Sequence, residues 1–141
     1  MKVSDILQKK GSQVFSITGN ATVLDALRVL GEKNIGALPV IEEDKLVGIV
    51  SERDYARKVI LKGKSSHDTL VVDIMTDNPY TIKPEDTIEM CMAVMSEKHI
   101  RHLPVVAGNY VVGMISVSDV VKAIIQSQKE TIDYLKHYIS Q

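Results

Sequence analysis

An α+β fold built from two copies of one small β-α-β-β-α unit is what this sequence predicts, and three observations carry the prediction. The chain has 141 residues, enough for one compact body with a real core. A sentence is written in it twice: "ALPVIEEDKLVGIVSERD" from Ala37 to Asp54 returns as "HLPVVAGNYVVGMISVSD" from His102 to Asp119. Around each copy, β-rich runs split by polar turns alternate with apolar residues at helical spacing.

The register of the repeat is strict. Pro39 and Pro104 stand 65 residues apart, and Gly48 and Gly113, Ser51 and Ser116, and Asp54 and Asp119 keep that offset. It holds upstream, where Ile17 matches Ile82, Thr22 matches Thr87, and Glu32-Lys33 matches Glu97-Lys98. No gap is needed from Ser16 to Ile60. The matches concentrate at Pro, Gly, Ser and Asp, so the copies share one supersecondary plan.

The elements follow in order. "VSDILQKKG" at the start reads as a short helical turn, its "DIL" echoing "DIM" at Asp73–Met75. Val14 to Ile17 predicts a strand. Thr22 then precedes Val23, Ala26, Leu27 and Leu30, a helical stripe, and Asp25 completes a capping box. "LPVI" and "LVGIVS", split by "EEDK", predict a hairpin, and a helix starts near Asp54. The linker "LKGKSSHDTLVVDIMTDNP" is a loop, then a helical turn at Val71 to Met75, and Pro79 restarts the strand. Copy two repeats the plan: a strand at Tyr80 to Ile82, a helix after Thr87 with Ile88, Cys91, Met92 and Met95, a hairpin of "LPVV" and "VVGMIS" split by "AGN", and a helix from near Asp119. One unit alone could hardly bury its sheet face, whereas two bury theirs against each other. The tail from Ser127 to Gln141 has no counterpart in copy one. Ile124, Ile125, Gln128, Ile132, Leu135 and Ile139 continue a helical stripe there, which needs a partner surface on its own core or on a second subunit. The expected boundaries are 1–66 for the first unit with its N-terminal turn, 67–126 for the second, and 127–141 for the helical extension.

Composition excludes several classes of function. Apolar residues make up 45% and charged residues 25%, with a net charge of −1 and no basic block, which speaks against nucleic acid. No apolar run is long enough for a bilayer. The charged start lacks the apolar stretch of a signal peptide, so a cytoplasmic protein is expected. The single Cys91 forms no internal disulfide, fits a reducing compartment, and lies on an apolar stripe as buried filler. "GKS" at Gly63–Ser65 resembles the end of a P-loop, but Lys58 stands where the motif needs its first glycine. His99 and His102 lack further ligands at metal spacing. No nucleophile elbow or duplicated Ser-His or Cys-His pair is present.

What remains is "SERD" and "SVSD". Ser followed three residues later by Asp at a helix start is a capping box. Here both copies place it directly after a Gly-containing strand, at a helix N-terminus that favours anions. An aspartate there accepts hydrogen bonds from a ribose diol, and the "LPV" strand offers an apolar wall to an adenine face.

With these residues the chain resembles a tandem pair of CBS domains, a Bateman module, over about Asp5 to Gln126. "IGALPVIEEDKLVGIVSERD" and "IRHLPVVAGNYVVGMISVSD" carry the family pattern, a small or basic pair before Leu-Pro-Val and then Gly-x-x-Ser-x-x-Asp. "KKGSQVFSI" and "SERDYARKVILKGKSS" look like the small bacterial stand-alone CBS-pair proteins. The resemblance implies two units packed sheet to sheet about a pseudo-twofold axis, a regulatory rather than catalytic role, a dimer of modules, and adenosine ligands such as AMP, ADP, ATP, NAD or S-adenosylmethionine. It also implies two clefts, each taking the Ser-x-x-Asp of one copy and strands of the other. One combines Ser116, Ser118 and Asp119 with Phe15, Gly36, Ala37, Leu38 and Pro39, with small walls and little charge. The other combines Ser51, Arg53 and Asp54 with Tyr80, Arg101, His102 and Pro104, and is basic, with Arg53 and Arg101 suited to phosphates. The function expected is an adenine-nucleotide sensor (AMP, ATP or NAD) that acts as a homodimer on a separate effector protein. The alternative is a ligand-independent dimerisation or interaction module, in which Ser-x-x-Asp is only a cap.

Overall fold

Two β-hairpins in one register frame the molecule, a computed structural model describing residues 1–11 and 13–140. Ser12, within the "KKGSQVFSI" stretch, and Gln141, at the end of the expected tail, lie outside the described residues. The chain runs α1 (Val3–Lys10), α2 (Val23–Lys33), β1 (Ala37–Glu42), β2 (Lys45–Ser51), α3 (Glu52–Tyr55), α4 (Val71–Ile74), β3 (Thr76–Asp77), α5 (Ile88–Lys98), β4 (His102–Ala107), β5 (Tyr110–Ser116) and α6 (Val117–Ile139), with a π-helical stretch, Ala56–Ile60, continuing α3.

The hairpin pairs repeat at the 65-residue offset. Ala37 faces Ser51 as His102 faces Ser116, and Val40 faces Gly48 as Val105 faces Gly113. Both hairpins carry a bulge one residue later, at Val40/Ile41 and at Val105/Val106. The first turns on Glu43 and Asp44, with φ of 48° and 64°, the left-handed pair that a two-residue hairpin turn needs. Glu42 and Lys45 of the expected "EEDK" turn are therefore strand residues. Both long helices before the hairpins start on a threonine cap, Thr22 and Thr87, and both end left-handed, at Asn34 and His99.

The strands expected at Val14–Ile17 and Tyr80–Ile82 shrink to single bridges, Ile17 beside Val40 and Ile82 beside Val105. Each is held by a pair of hydrogen bonds around the bulge: Ile17 N–H to Pro39 O (3.1 Å) and Ile41 N–H to Ile17 O (2.9 Å) in copy one. Turns beginning at Thr18 and Lys83 leave no room for a longer ladder.

The short helices are exchanged between the copies. Val3 and Ile6 of α1 are buried with Ile82, Ile88, Leu103, Ile115 and Val120 of copy two, although α1 precedes copy one in the chain. Val71 and Ile74 of α4 are buried with Val23, Leu30, Leu38 and Val50 of copy one, although α4 precedes copy two. The backbone contacts match. Val3 N–H reaches Asp86 O at 2.8 Å, and Val71 N–H reaches Ala21 O at 2.9 Å. Leu7 lies where a Cβ on Gly113 would stand, and Met75 where one on Gly48 would stand. The boundaries drawn at 66 and 126 follow chain order, while the packing crosses them.

The result is an α+β fold with two small sheets, β1-β2-β3 and β4-β5, meeting through β2 and β5. Cys91 is fully buried in the core of copy two, where burial first and the charge of Asp86 second push its thiol up to about 11, against a smaller lowering by its own backbone. Ile124 packs against that core, so the tail stripe narrows to residues that leave the body: Ile125, Ile132, Leu135 and Ile139 are all at least half exposed.

Candidate functional site

Both Ser-x-x-Asp motifs form the capping boxes that local chemistry requires. Asp54 N–H donates to Ser51 Oγ at 3.2 Å, and Ser51 N–H donates to Asp54 Oδ2 at 2.9 Å. Ser116 and Asp119 repeat both distances at the start of α6. The motifs differ in the remaining serine bond. Ser51 Oγ also donates to Asp54 Oδ2 at 3.0 Å, whereas Ser116 Oγ pairs with Ser118 Oγ at 3.0 Å.

A cavity of about 410 Å³ opens at the seam between the copies, within the usual range of about 300–1,000 Å³ for small-molecule sites. Phe15, Gly36 and Ala37 line it from copy one, and Ser116, Ser118 and Asp119 from copy two. The geometry thus brings together six of the eight residues expected for this cleft. Leu38 does not line it: strand alternation turns its side chain into the core, at 0% exposure. Pro39 is buried within β1 and is likewise absent from the lining, its carbonyl being the acceptor for Ile17.

His102 corrects the assignment of residues to clefts. It lines this cavity, with its ring against Gly36. A Cβ at Gly36 would stand 3.0 Å from His102 Nε2 and 3.1 Å from its Cε1, so a side chain there would push the ring aside by a few tenths of an ångström. Burial is the main cause that lowers the His102 pKa, Lys10 and Arg101 add to it, and Asp119 opposes them. The imidazole is therefore a neutral wall at neutral pH.

The expectation of a nearly uncharged cleft is overturned as well. Lys10 and Lys122 both line the cavity. Lys10 Nζ lies 2.8 Å from Asp119 Oδ2 and donates to Met114 O at 2.8 Å. Burial pushes the Asp119 carboxyl up, but the bond from Lys10, the Ser116 N–H, the Lys10 charge and the Ser116 hydroxyl together bring it below its ordinary value. Sequence supplies the reason for Lys10. "LQKKG" keeps good helix formers to the end of α1, so α1 runs eight residues. Its equivalent, α4, stops after four, before "TDNP", and the chain turns into β3. The extra turn of α1 delivers Lys10 to Asp119. The echo of "DIL" and "DIM" pointed to equivalent helices, but nothing in the pattern said that they were exchanged.

The second cleft is built differently. Lys58, one turn along from Asp54, supplies the cation at 3.3 Å and donates to Ile74 O at 2.8 Å. Arg53 Nη1 donates to His99 O at 3.0 Å, at the end of α5. Arg101 is exposed and Pro104 is buried. Tyr80 is 51% exposed, with Lys98 Nζ 5.1 Å from its ring centre, as Lys33 lies 4.8 Å from Phe15 in copy one. Among the described residues no group of three or more His, Cys, Asp or Glu stands together as a metal site, and no helix is long and apolar enough to cross a membrane.

Known proteins match this chain in sequence and in fold. A family model described as CBS domain matches residues 3–61 and 71–126. The chain is 38% identical, over 97% of its length and 71% of the relative's, to the mitochondrial CBS domain-containing protein CBSX3 of Arabidopsis thaliana. Its fold matches that of a protein with CBS domains from Burkholderia ambifaria with a TM-score of 0.86 and 43% identity, covering 91% of this chain and 96% of that one. It also matches the CBS domain pair of protein MJ0100, solved in complex with 5′-methylthioadenosine and S-adenosyl-L-methionine, with a TM-score of 0.81 and 28% identity over 90% of this chain and 98% of that one. The chain therefore belongs to the CBS domain family and carries the domain twice, as a small CBS-pair protein.

Proposed function

We propose that the chain is a regulatory module that takes an adenine nucleotide, of the AMP, ATP or NAD type, in the seam cavity at Ser116–Asp119. One observation carries this reading. Asp119 caps α6 at the edge of a cavity whose opposite wall, Phe15, Gly36 and Ala37, comes from the other copy. A ligand that spans the two walls changes how the copies pack only to the extent that it prefers one packing over the other. The adenosine compounds bound by the MJ0100 domain pair support the ligand class. In this reading Asp119 accepts from the ribose hydroxyls, Gly36 and Ala37 admit the base, and Ser118 faces the phosphate side. Ser51, Arg53, Asp54, Tyr80 and Arg101 form a second, weaker site. The module carries no catalysis of its own and acts in the cytoplasm on a separate effector protein.

A homodimer through α6 belongs to the same proposal. Val121, Ile125, Gln128, Ile132, Leu135 and Ile139 alternate four and three residues apart, with Ile125, Ile132 and Ile139 at one seam position and Val121, Gln128 and Leu135 at the other. That pattern suits a two-stranded coil. The same stripe favours the second reading, an interaction module whose Ser-x-x-Asp motifs are only caps.

Calorimetric titration with AMP, ATP, NAD and GTP separates them. Adenine ligands are expected to bind and GTP not, with Asp119→Ala weakening binding by about 1–3 kcal/mol. No binding by any adenine compound would leave the interaction module. Sedimentation of the protein with Ile132→Glu and Leu135→Glu together checks the dimer, which those changes should dissociate.

A further inference from the structure

A second cavity, about 440 Å³, lies between α1 and α6 and shares a wall with the first. Lys10, Asp119 and Lys122 line both. The Lys10–Asp119 ion pair is thus a partition between two compartments. Beyond it the groove is lined by Asp5, Lys9 and Gln126 among others. Its charges are unequally engaged. Asp5 is taken by the cap of α1, where it accepts the Lys2 N–H at 2.8 Å. Asp119 is taken by Ser116 and Lys10. Among the described residues, Lys9 and Lys122 have neither an ion pair nor a side-chain hydrogen bond. The groove therefore offers unspent positive charge next to the Lys10–Asp119 partition.

We propose that this α1–α6 groove is a second compartment of the ligand site, receiving an anionic extension of the nucleotide: a polyphosphate, or the phosphate-linked second half of a dinucleotide. The inference rests on the nucleotide reading above. Ribose hydroxyls donating to Asp119 share its carboxylate with Lys10, whose ammonium has further donors for an anion within reach of its stem. A phosphate chain passing the partition supplies one, and Lys9 and Lys122 hold the rest of it in charge-assisted bonds. A monophosphate ends before the groove. A cationic sulfonium ligand would set like charge beside Lys10, so the site selects against it.

Lys9 decides the matter, because it lines the groove and not the first cavity. The full chain and its Lys9→Glu variant are titrated calorimetrically with AMP, ATP and S-adenosylmethionine in EDTA, after circular dichroism confirms that the variant is folded. The expected result is ATP binding about tenfold tighter than AMP, one lost charge-assisted bond's worth, with S-adenosylmethionine weakest. Lys9→Glu should erase the ATP preference and leave AMP unchanged. Equal AMP and ATP affinities, or an ATP preference that survives Lys9→Glu, would overturn the second compartment while the nucleotide reading stands. Absence of AMP and ATP binding alike would overturn both. A variant with the same defect in AMP and ATP binding would show that Lys9 acts on the fold, and would also overturn the proposal.

Discussion

Asp54 and Asp119 occupy matching motifs and form matching caps, yet their cations come from different parts of the chain. Lys58 reaches Asp54 from the next turn of the same helical segment, and Lys10 reaches Asp119 across 109 residues. In the first case the same lysine also ties the helical segment to the Ile74 carbonyl at the end of α4. In the second it ties α1, the carbonyl of Met114 in β5, and the start of α6 to one point beside a cavity. A repeated motif thus specifies the cap twice, while the longer α1 places its cation beside the cavity and the shorter α4 offers only a carbonyl.

The largest effects should come from the exchange itself. Ile6→Ala in α1 and Ile74→Ala in α4 each open a cavity in a core that the sequence assigns to the other copy, and each should cost about 3 kcal/mol in urea unfolding. Equality is the point of interest. Ile6 is 7% exposed and Ile74 1%, so a helix near the chain end should matter as much as one in the middle. A near-zero cost for Ile6→Ala would mean that α1 does not complete the core of copy two, and the comparison would fail.

The paired glycines sharpen it at the next level. A Cβ at Gly48 would stand 2.9 Å from the backbone oxygen of Thr76, and 2.6 Å from Met75 Sδ. At Gly113 the nearest atoms, from 2.5 Å, all belong to the tip of the Leu7 side chain, which can rotate away. Gly48→Ala should therefore cost about 2 kcal/mol and Gly113→Ala about 1, as overpacking against fixed and yielding neighbours. The reverse order in a denaturant series would show that β3 yields more easily than α1.

These pairs mark how far the sequence could be read. The 65-residue offset is legible because Pro, Gly, Ser and Asp recur where backbone geometry needs them, and the hairpins, caps and helices follow from it. The cavity residues Phe15, Gly36, Ala37, Ser116, Ser118 and Asp119 were legible through the family resemblance. Lys10 was not, since its role depends on α1 crossing to the other copy and running one turn longer than α4. His102 was misplaced for a related reason. Its ring reaches this cavity against Gly36, a proximity that a list of matched positions does not show. Leu38 was misread because "LPV" looks like an apolar wall in sequence, whereas the pleat sends its first residue inward.

A smaller difference is expected at the cations. Lys10→Met should cost about 1 kcal/mol, since it leaves a carboxylate only 17% exposed with no cation beside it, discounted because Lys10 is itself 39% exposed. Lys58→Met should cost less, about 0.5 kcal/mol or under, because the Asp54 carboxylate also holds both the backbone N–H and the hydroxyl of Ser51. Double-mutant cycles with Asp119→Asn and Asp54→Asn would read the couplings directly. Equal couplings would mean that the source of the cation is irrelevant.

The smallest effect is a pH dependence present in one copy alone. His102 faces Ala37 across the 65-residue offset, so only copy two carries a titratable ring there. Burial first, then Lys10 and Arg101, lower its pKa, and Asp119 pulls the other way without prevailing. Below about 6.5, the ordinary histidine value, the unfolded chain binds a proton that the folded ring resists. Stability should then fall as the pH drops through that value and level off only below the folded pKa. Asp119 is lowered too, so its share of stability is lost only as the pH falls from about 4 downwards, outside this window. Thermal melts at about pH 7.5 and 5.5 isolate the ring, with a 1 kcal/mol change read as roughly 4 °C. His102→Gln should melt close to the parent at the higher pH and lose less at the lower one. An identical loss in both would place the acid sensitivity elsewhere. It would also mean that the ring is free to protonate, which its packing between Gly36 and Ser116 argues against.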